Sequence, residues 1–190
     1  VFGSSGMGSS GSGAQQLEGL VGVRYEVGRS IGVSGGVGRG ILSGIGAPDA
    51  TGSAGWLVCC TSGDQGGEDP FADPLELAAL REREQRAAAH VIGYEGVSFL
   101  HQPDGALVND LALREQLVRE IRTFKPDAVL CTDPEAVFHR GGGVNHTDHR
   151  AAGMAAVDAV YPAARNPMAF PALARAGLEK HVVRRLYLFW

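Results

Sequence analysis

From about Trp56 onward, short apolar runs alternate with stretches of helical periodicity, and this alternation limits the fold more than any other feature of the 190-residue chain. Trp56-Leu-Val-Cys-Cys-Thr61 suits a buried parallel strand. Asp73 reads as an N-cap, with Pro74 at the first helical position and Glu76 at the third, and the helix runs to Ile92, where Gly93 ends it. Val97–Leu100 reads as a second strand. Asp110 caps a second helix with Leu113, Leu117, Val118 and Ile121 on one face. Asp127–Thr132 is a third strand, and a third helix starts near Thr147. Val182–Trp190 reads as a last strand. Strands alternating with helices imply crossover connections, a parallel sheet and helices on both of its faces. Leu57–Thr61, Val97–Leu100 and Ala128–Cys131 are expected as neighbouring strands.

In such sheets ligands gather beyond the carboxyl ends of the strands. The polar segments stand at those ends: Thr61–Asp64, Pro103-Asp-Gly105 and Thr132-Asp-Pro134. Residues 1–55 differ in kind, since 17 of the 28 glycines fall there and the apolar residues are scattered. A chain of this composition buries too little apolar surface to offset its backbone entropy. It is expected to be irregular or disordered, contributing at best one makeshift strand. Gly6, Gly8 and Gly11 match GxGxxG there, but the dinucleotide fingerprint needs a strand before it and a helix after it. The organisation expected is an irregular segment, 1–55, followed by a partial folded domain, 56–190.

The net charge of −4 argues against a nucleic-acid partner, which needs a concentrated basic face. No run of 18 apolar residues occurs, so no membrane span is expected. The N-terminus does not read as a signal peptide. Three cysteines, two of them adjacent and none in a CxxC, suit a reducing cytoplasm rather than a disulfide framework.

The sharpest local signal is Gly141-Gly-Gly-Val-Asn-His146-Thr-Asp-His149. A glycine-rich loop leads into a helix start with histidines at i and i+3, which places both rings on one side of the first turn. Asp148 is available to orient a ring. Spacing alone leaves a metal site and a pair of solvated histidines both open.

Further segments accompany this one in order. They are Cys60-Thr-Ser-Gly-Asp64 with Gly66, Glu76-Leu-Ala-Ala-Leu-Arg81-Glu-Arg-Glu84 leading to Gly93, Phe99-Leu100 with Pro103-Asp-Gly105, and Ile121-Arg122 with Lys125-Pro-Asp127. The last is Asn145-His-Thr-Asp-His-Arg-Ala-Ala-Gly153 with Asp158-Ala-Val160. With these motifs the chain, from about residue 57 to 190, resembles the LmbE/PIG-L family of zinc-dependent deacetylases. The resemblance implies a Rossmann-like three-layer sandwich, here incomplete at both ends. It implies a zinc ion as cofactor and, as partner, a small N-acetylglucosamine-containing conjugate that loses its acetyl group. By position, His149 is the implied zinc ligand and His146 the oxyanion-stabilising residue. Asp148 is expected to pair with His146 and keep it charged. Arg81 and Asp104 are implied sugar contacts, and Asp64 an acidic group at the cleft edge. His146, His149, Asp64 and Asp104 should converge, with Arg81 at the rim.

The family's remaining metal residues belong to an HPDD motif after the first strand, and no histidine precedes His90 here. Gly46-Ala-Pro-Asp49-Ala50 keeps only Pro-Asp and lies too close to Trp56 for an intervening helix. A shifted reading frame in a GC-rich gene would produce such a stretch. The chain also ends on an apolar strand, where such proteins continue. The expectation is therefore a deacetylase by family that is itself inactive, with a non-catalytic sugar-binding module or a non-functional gene fragment as the alternatives.

Overall fold

The computed structural model describes residues 29–34, 54–138 and 142–189. Among the described residues five strands form one sheet: β1 (Arg29–Ser34), β2 (Ala54–Thr61), β3 (Gly96–Gln102), β4 (Ala128–Thr132) and β5 (Arg185–Phe189). All pairings are parallel, in the order β3-β2-β1-β4-β5. The helices are α1 (Pro74–Ile92), α2 (Leu111–Phe124), α3 (Thr147–Asp158) and the short α4 (Pro171–Arg175). The GxGxxG string and the Gly46–Ala50 string lie outside the described residues.

One expectation, that the three apolar strands are neighbours, is corrected. β2 and β3 are neighbours, but β4 does not touch either, because β1 lies between β2 and β4. The glycine-rich segment thus supplies the central strand of the sheet, paired along Arg29–Ser34 with β2 and along Ser30–Val33 with β4. The physical reason is the demand of the sheet itself. The ladders of β2 and β4 each offer unpaired amides and carbonyls, and an extended backbone of weak propensity satisfies both at once.

Local chemistry explains the helix limits. Asp73 Oδ1 accepts from Leu75 N at 2.8 Å, and Gly93, at φ 90°, donates to Ala89 O at 3.0 Å. Asp110 Oδ1 accepts from Leu113 N at 2.8 Å, and Lys125, at φ 54°, ends α2. β2 alternates between two layers. Leu57 and Cys59 pack with Ala89 of α1 and Val97, while Val58 and Cys60 join the larger core of Leu113, Leu117, Val118, Ile121, Val129, Ala152 and Ala155. α1 therefore covers one face, and α2 with α3 the other. Each fully buried Leu or Ile contributes roughly 1.5–3 kcal/mol, an upper figure because the unfolded chain is already partly compact.

Arg122 is buried among these apolar side chains. Its guanidinium donates to the carbonyls of Ala163, Ala164, Asn166 and Ala169 at 2.9–3.3 Å. It ties α2 to the irregular turn after α3, where Tyr161–Pro162 is cis. Burial lowers its pKa below the usual guanidinium value.

Candidate active site

The strand order reverses direction between β1 and β4, and the crevice outside the carboxyl ends at such a switch point is where ligands bind in open α/β sheets. α3 begins there. Thr132, the last residue of β4, donates from Oγ1 to the carbonyl of His149. Gly153 allows this approach, since a Cβ at that position would lie 2.1 Å from Thr132 O.

His146 is the N-cap of α3, and its Nδ1 accepts the Asp148 amide hydrogen at 3.2 Å. An Nδ1 that accepts cannot hold a proton, so the neutral ring carries its hydrogen on Nε2. The His146 and His149 rings lie 5.5 Å apart between centroids, tilted by 49°. The Asp148 side chain does something different from what the family resemblance implied. It is buried, and its two oxygens accept from Gly105 N at 2.7 Å and Leu107 N at 3.2 Å. Two backbone amides of the loop after β3 outcompete the imidazole for it, because they are fixed in place and satisfy a buried carboxylate without moving a side chain. Its link to His146 runs through the main chain instead.

Asp104 stands in that same loop. Its Oδ1 accepts from Thr61 Oγ1 at 2.9 Å and its Oδ2 from Gln65 N at 3.0 Å. The loops after β2, β3 and β4 are thereby joined by a chain of hydrogen bonds, Thr61–Asp104, Gly105–Asp148 and Asp148–His146. Asp64 is half-buried in the first of these loops. Arg81 reaches the same loop from α1, with Nη2 on Gly66 O at 3.1 Å, while Nη1 pairs with Glu84 at 2.8 Å. Its Nε is buried without a hydrogen-bond partner.

Asn145 was not singled out from the sequence. It is buried, its amide donates to Val137 O at 2.8 Å, and its Nδ2 donates to Ala136 O at 2.9 Å. Phe138 and Val144 form an antiparallel bridge just outside it. An amide side chain between a glycine run and an N-cap was the available signal.

Among the described residues no group of three or more His, Cys, Asp or Glu side chains gathers closely enough to hold a metal ion. A catalytic zinc takes about three protein ligands. His149 alone falls short of that number, since Nε2 of the neutral His146 ring carries its hydrogen, so the described donors do not by themselves fit a zinc ion. The free thiols of Cys59, Cys60 and Cys131 are buried in the core and are no substitute. Burial pushes Cys59 and Cys131 up to about 12, and Cys60 above the usual thiol range. No helix among the described residues is long and apolar enough to cross a membrane.

The fold and its loop cluster define a three-layer α/β protein with a polar site at the switch point of a parallel sheet. Residues 44–160 match the family model described as PIG-L, GlcNAc-PI de-N-acetylase, and the chain belongs to that family. A diacetylchitobiose deacetylase of Thermococcus kodakarensis is 31% identical over 100 residues, which is 53% of this chain and 36% of that protein. The N,N'-diacetylchitobiose deacetylase of Pyrococcus horikoshii, solved with an inhibitor, superposes with a TM-score of 0.72 at 24% identity, over 82% of this chain and 57% of its own. GalB, a 4-carboxy-2-hydroxymuconate hydratase of Pseudomonas putida, superposes at 0.63 with 18% identity, over 85% and 65%. The chain thus spans about a third of the curated relative and under two thirds of these solved structures. The hydratase shows that the fold alone does not fix the chemistry.

Proposed function

We propose that the site is laid out for removing the acetyl group from an N-acetylglucosamine-containing conjugate, the chemistry of a zinc-dependent amide hydrolase. The chain as it stands holds the sugar-facing and oxyanion-facing side of that site. Family membership and the loop cluster support this reading, and the observation that carries it is His146. With Nδ1 engaged by the Asp148 amide, its ring offers Nε2–H as a donor at the start of α3, which suits a developing oxyanion. Asp104, held by Thr61 and Gln65, is a fixed acceptor for sugar hydroxyls, and Asp64 belongs to the same loop that Arg81 reaches at Gly66. A zinc ion, if held here, would supply polarisation of the amide carbonyl and acidification of water. His149 is the ligand this chain would contribute. With one such ligand in view, zinc binding is expected to be weak and hydrolysis to stay at background. A reducing cytoplasm fits the three free thiols.

A sugar-binding module without turnover is the second reading. It is favoured by the hydrogen bonds through which the three loops hold Asp104 and His146 in place.

Zinc content after dialysis, paired with amine release from diacetylchitobiose, separates these outcomes. Little zinc and no turnover, with measurable sugar binding, is expected. One tightly held zinc per chain, with turnover that vanishes in His149→Ala, would show that other residues complete the metal site. A chain that binds no sugar would refute both readings.

A further inference from the structure

An apolar pair stands on the loop between β4 and α3. Asn145 N donates to Val137 O at 2.8 Å, and Phe138 and Val144 form the antiparallel bridge beside that bond. A bridge flanked by its backbone bonds is a non-hydrogen-bonded pair, in which the facing side chains stand closest, with Cα atoms roughly 4.5 Å apart. Phe138 and Val144 therefore share one face of the loop. Neither is covered: Phe138 is 73% exposed and Val144 66%.

That face is also the face of His146. Val144 and His146 are exposed, and Asn145 between them is buried. The Asn145 side chain turns inward to Ala136 O, while His146, as N-cap, keeps an extended backbone with φ −56° and ψ 140°. Successive side chains of an extended chain leave on opposite sides, so those of Val144 and His146 leave on the same one. Phe138, opposite Val144, adds its ring to them. Two apolar side chains thus adjoin an imidazole whose Nε2 carries the hydrogen.

The sheet sets these groups in order. Asp104 is tied to Thr61 at the end of β2, whereas the apolar pair is on the loop that leaves β4. β1 lies between β2 and β4, so their ends are about 10 Å apart, two strand spacings. His146 is joined to the Asp104 loop through Asp148 and Gly105. An N-acyl amino sugar has the same order: ring, amide, acyl chain. Of the two substituents on its carbonyl carbon, the nitrogen leads back to the ring at Asp104. The acyl carbon leaves on the other side, toward the β4 loop.

We propose that Phe138 and Val144 form an acyl-chain subsite, and that the chain binds amino sugars N-acylated with chains longer than acetyl. The assignment rests on the reading given above, in which His146 faces the amide oxygen and Asp104 the ring. An acetyl methyl is a single carbon and covers little of so open a pair, whereas a longer chain lies along both side chains. A group on the anomeric carbon departs from the ring instead of the carbonyl and is not what the pair selects.

The test is calorimetric titration of N-acetyl-, N-butyryl- and N-hexanoylglucosamine, with hexyl N-acetylglucosaminide for comparison, against the wild-type chain, Phe138→Ser and Val144→Ser. Both positions are exposed, so the variants fold. A fully buried methylene is worth roughly fourfold in affinity, and half of that free energy, about twofold, on an open ledge. Wild-type affinity should rise about fourfold from acetyl to butyryl and about fifteenfold to hexanoyl. In Phe138→Ser most of the rise should vanish, with N-acetylglucosamine unchanged, and Val144→Ser should lose a smaller part of it. No rise in the wild type, a rise that survives in both variants, or an equal loss for all four ligands would overturn the subsite and leave the sugar reading intact. A gain for the hexyl glycoside that depends on Phe138 as strongly as the hexanoyl gain would also overturn it, by giving the pair to the anomeric group. A wild-type chain that binds none of the four would overturn both readings.

Discussion

Gly153→Ala should destabilise the domain by moving α3 off the sheet. The added Cβ would lie 2.1 Å from the Thr132 carbonyl oxygen and 3.1 Å from Thr132 Oγ1. Ordinary contact needs at least about 1.3 Å more than the shorter of these. The obstacle is main chain in β4, whose ladder runs to β1 on one side and β5 on the other, so it does not yield. The helix must move instead, and the Thr132 hydrogen bond to His149 O stretches with it. Overpacking of this kind costs about 1–3 kcal/mol, here toward the upper end. Alanine in place of glycine inside a helix returns about 1 kcal/mol. The net is a loss of about 2 kcal/mol, a fall in Tm of roughly 4–8 °C for a domain of this size. Scanning calorimetry measures it, with exposed Met154→Ala on the same helix as the control. A Tm for Gly153→Ala equal to or above that of the wild type would refute the close approach of α3 to β4, and with it the placement of His149.

Further outcomes are expected for Arg122 and for the buried thiols. Arg122→Met should cost roughly 3 kcal/mol in urea unfolding, because carbonyls between Ala163 and Ala169 lose a charged donor. Arg122→Lys should recover little of it, since an ammonium cannot reproduce the planar fork. The buried thiols should resist iodoacetamide in the folded chain at about pH 8 and label on unfolding, because Cys59 and Cys131 are pushed from 9.0 up to about 12. Since the folded state holds these thiols protonated, their contribution to stability is fully present below about pH 9. It is lost as the pH rises toward 12, where unfolded thiols ionise first. Unfolding midpoints that do not fall across that interval would contradict their burial.

The helices α1 and α2 were legible almost to the residue, because Asp73, Pro74 and Gly93, and Asp110, act locally and leave their mark in the sequence. β2, β3 and β4 were legible as apolar runs. β1 was not, since a central strand is defined by two partners far away in the chain, and no short window contains them. The site divides in the same way. Gly105 and Asp148 meet through main-chain amides, which carry no signature in residue type, so only the pairing with His146 that the resemblance implies was available for the carboxylate of Asp148. The partners of Asp104, Thr61 and Gln65, depend on which residues the β2 turn presents, which is a property of the folded sheet.

The central position of β1 also has a consequence for how the chain is made. Ser30 pairs with Gly55 on one side and with Ala128 on the other. On a ribosome the first partner emerges soon after β1, and the second only after α1, β3 and α2 have followed. Until then β1 has one flank covered and the other open, and an open strand flank is a template for another chain. Closure of the sheet is a late, long-range event of the kind that slows folding and lengthens exposure to aggregation. Nascent chains stalled before β4 should therefore depend on holdase chaperones, and those carried beyond it should be released.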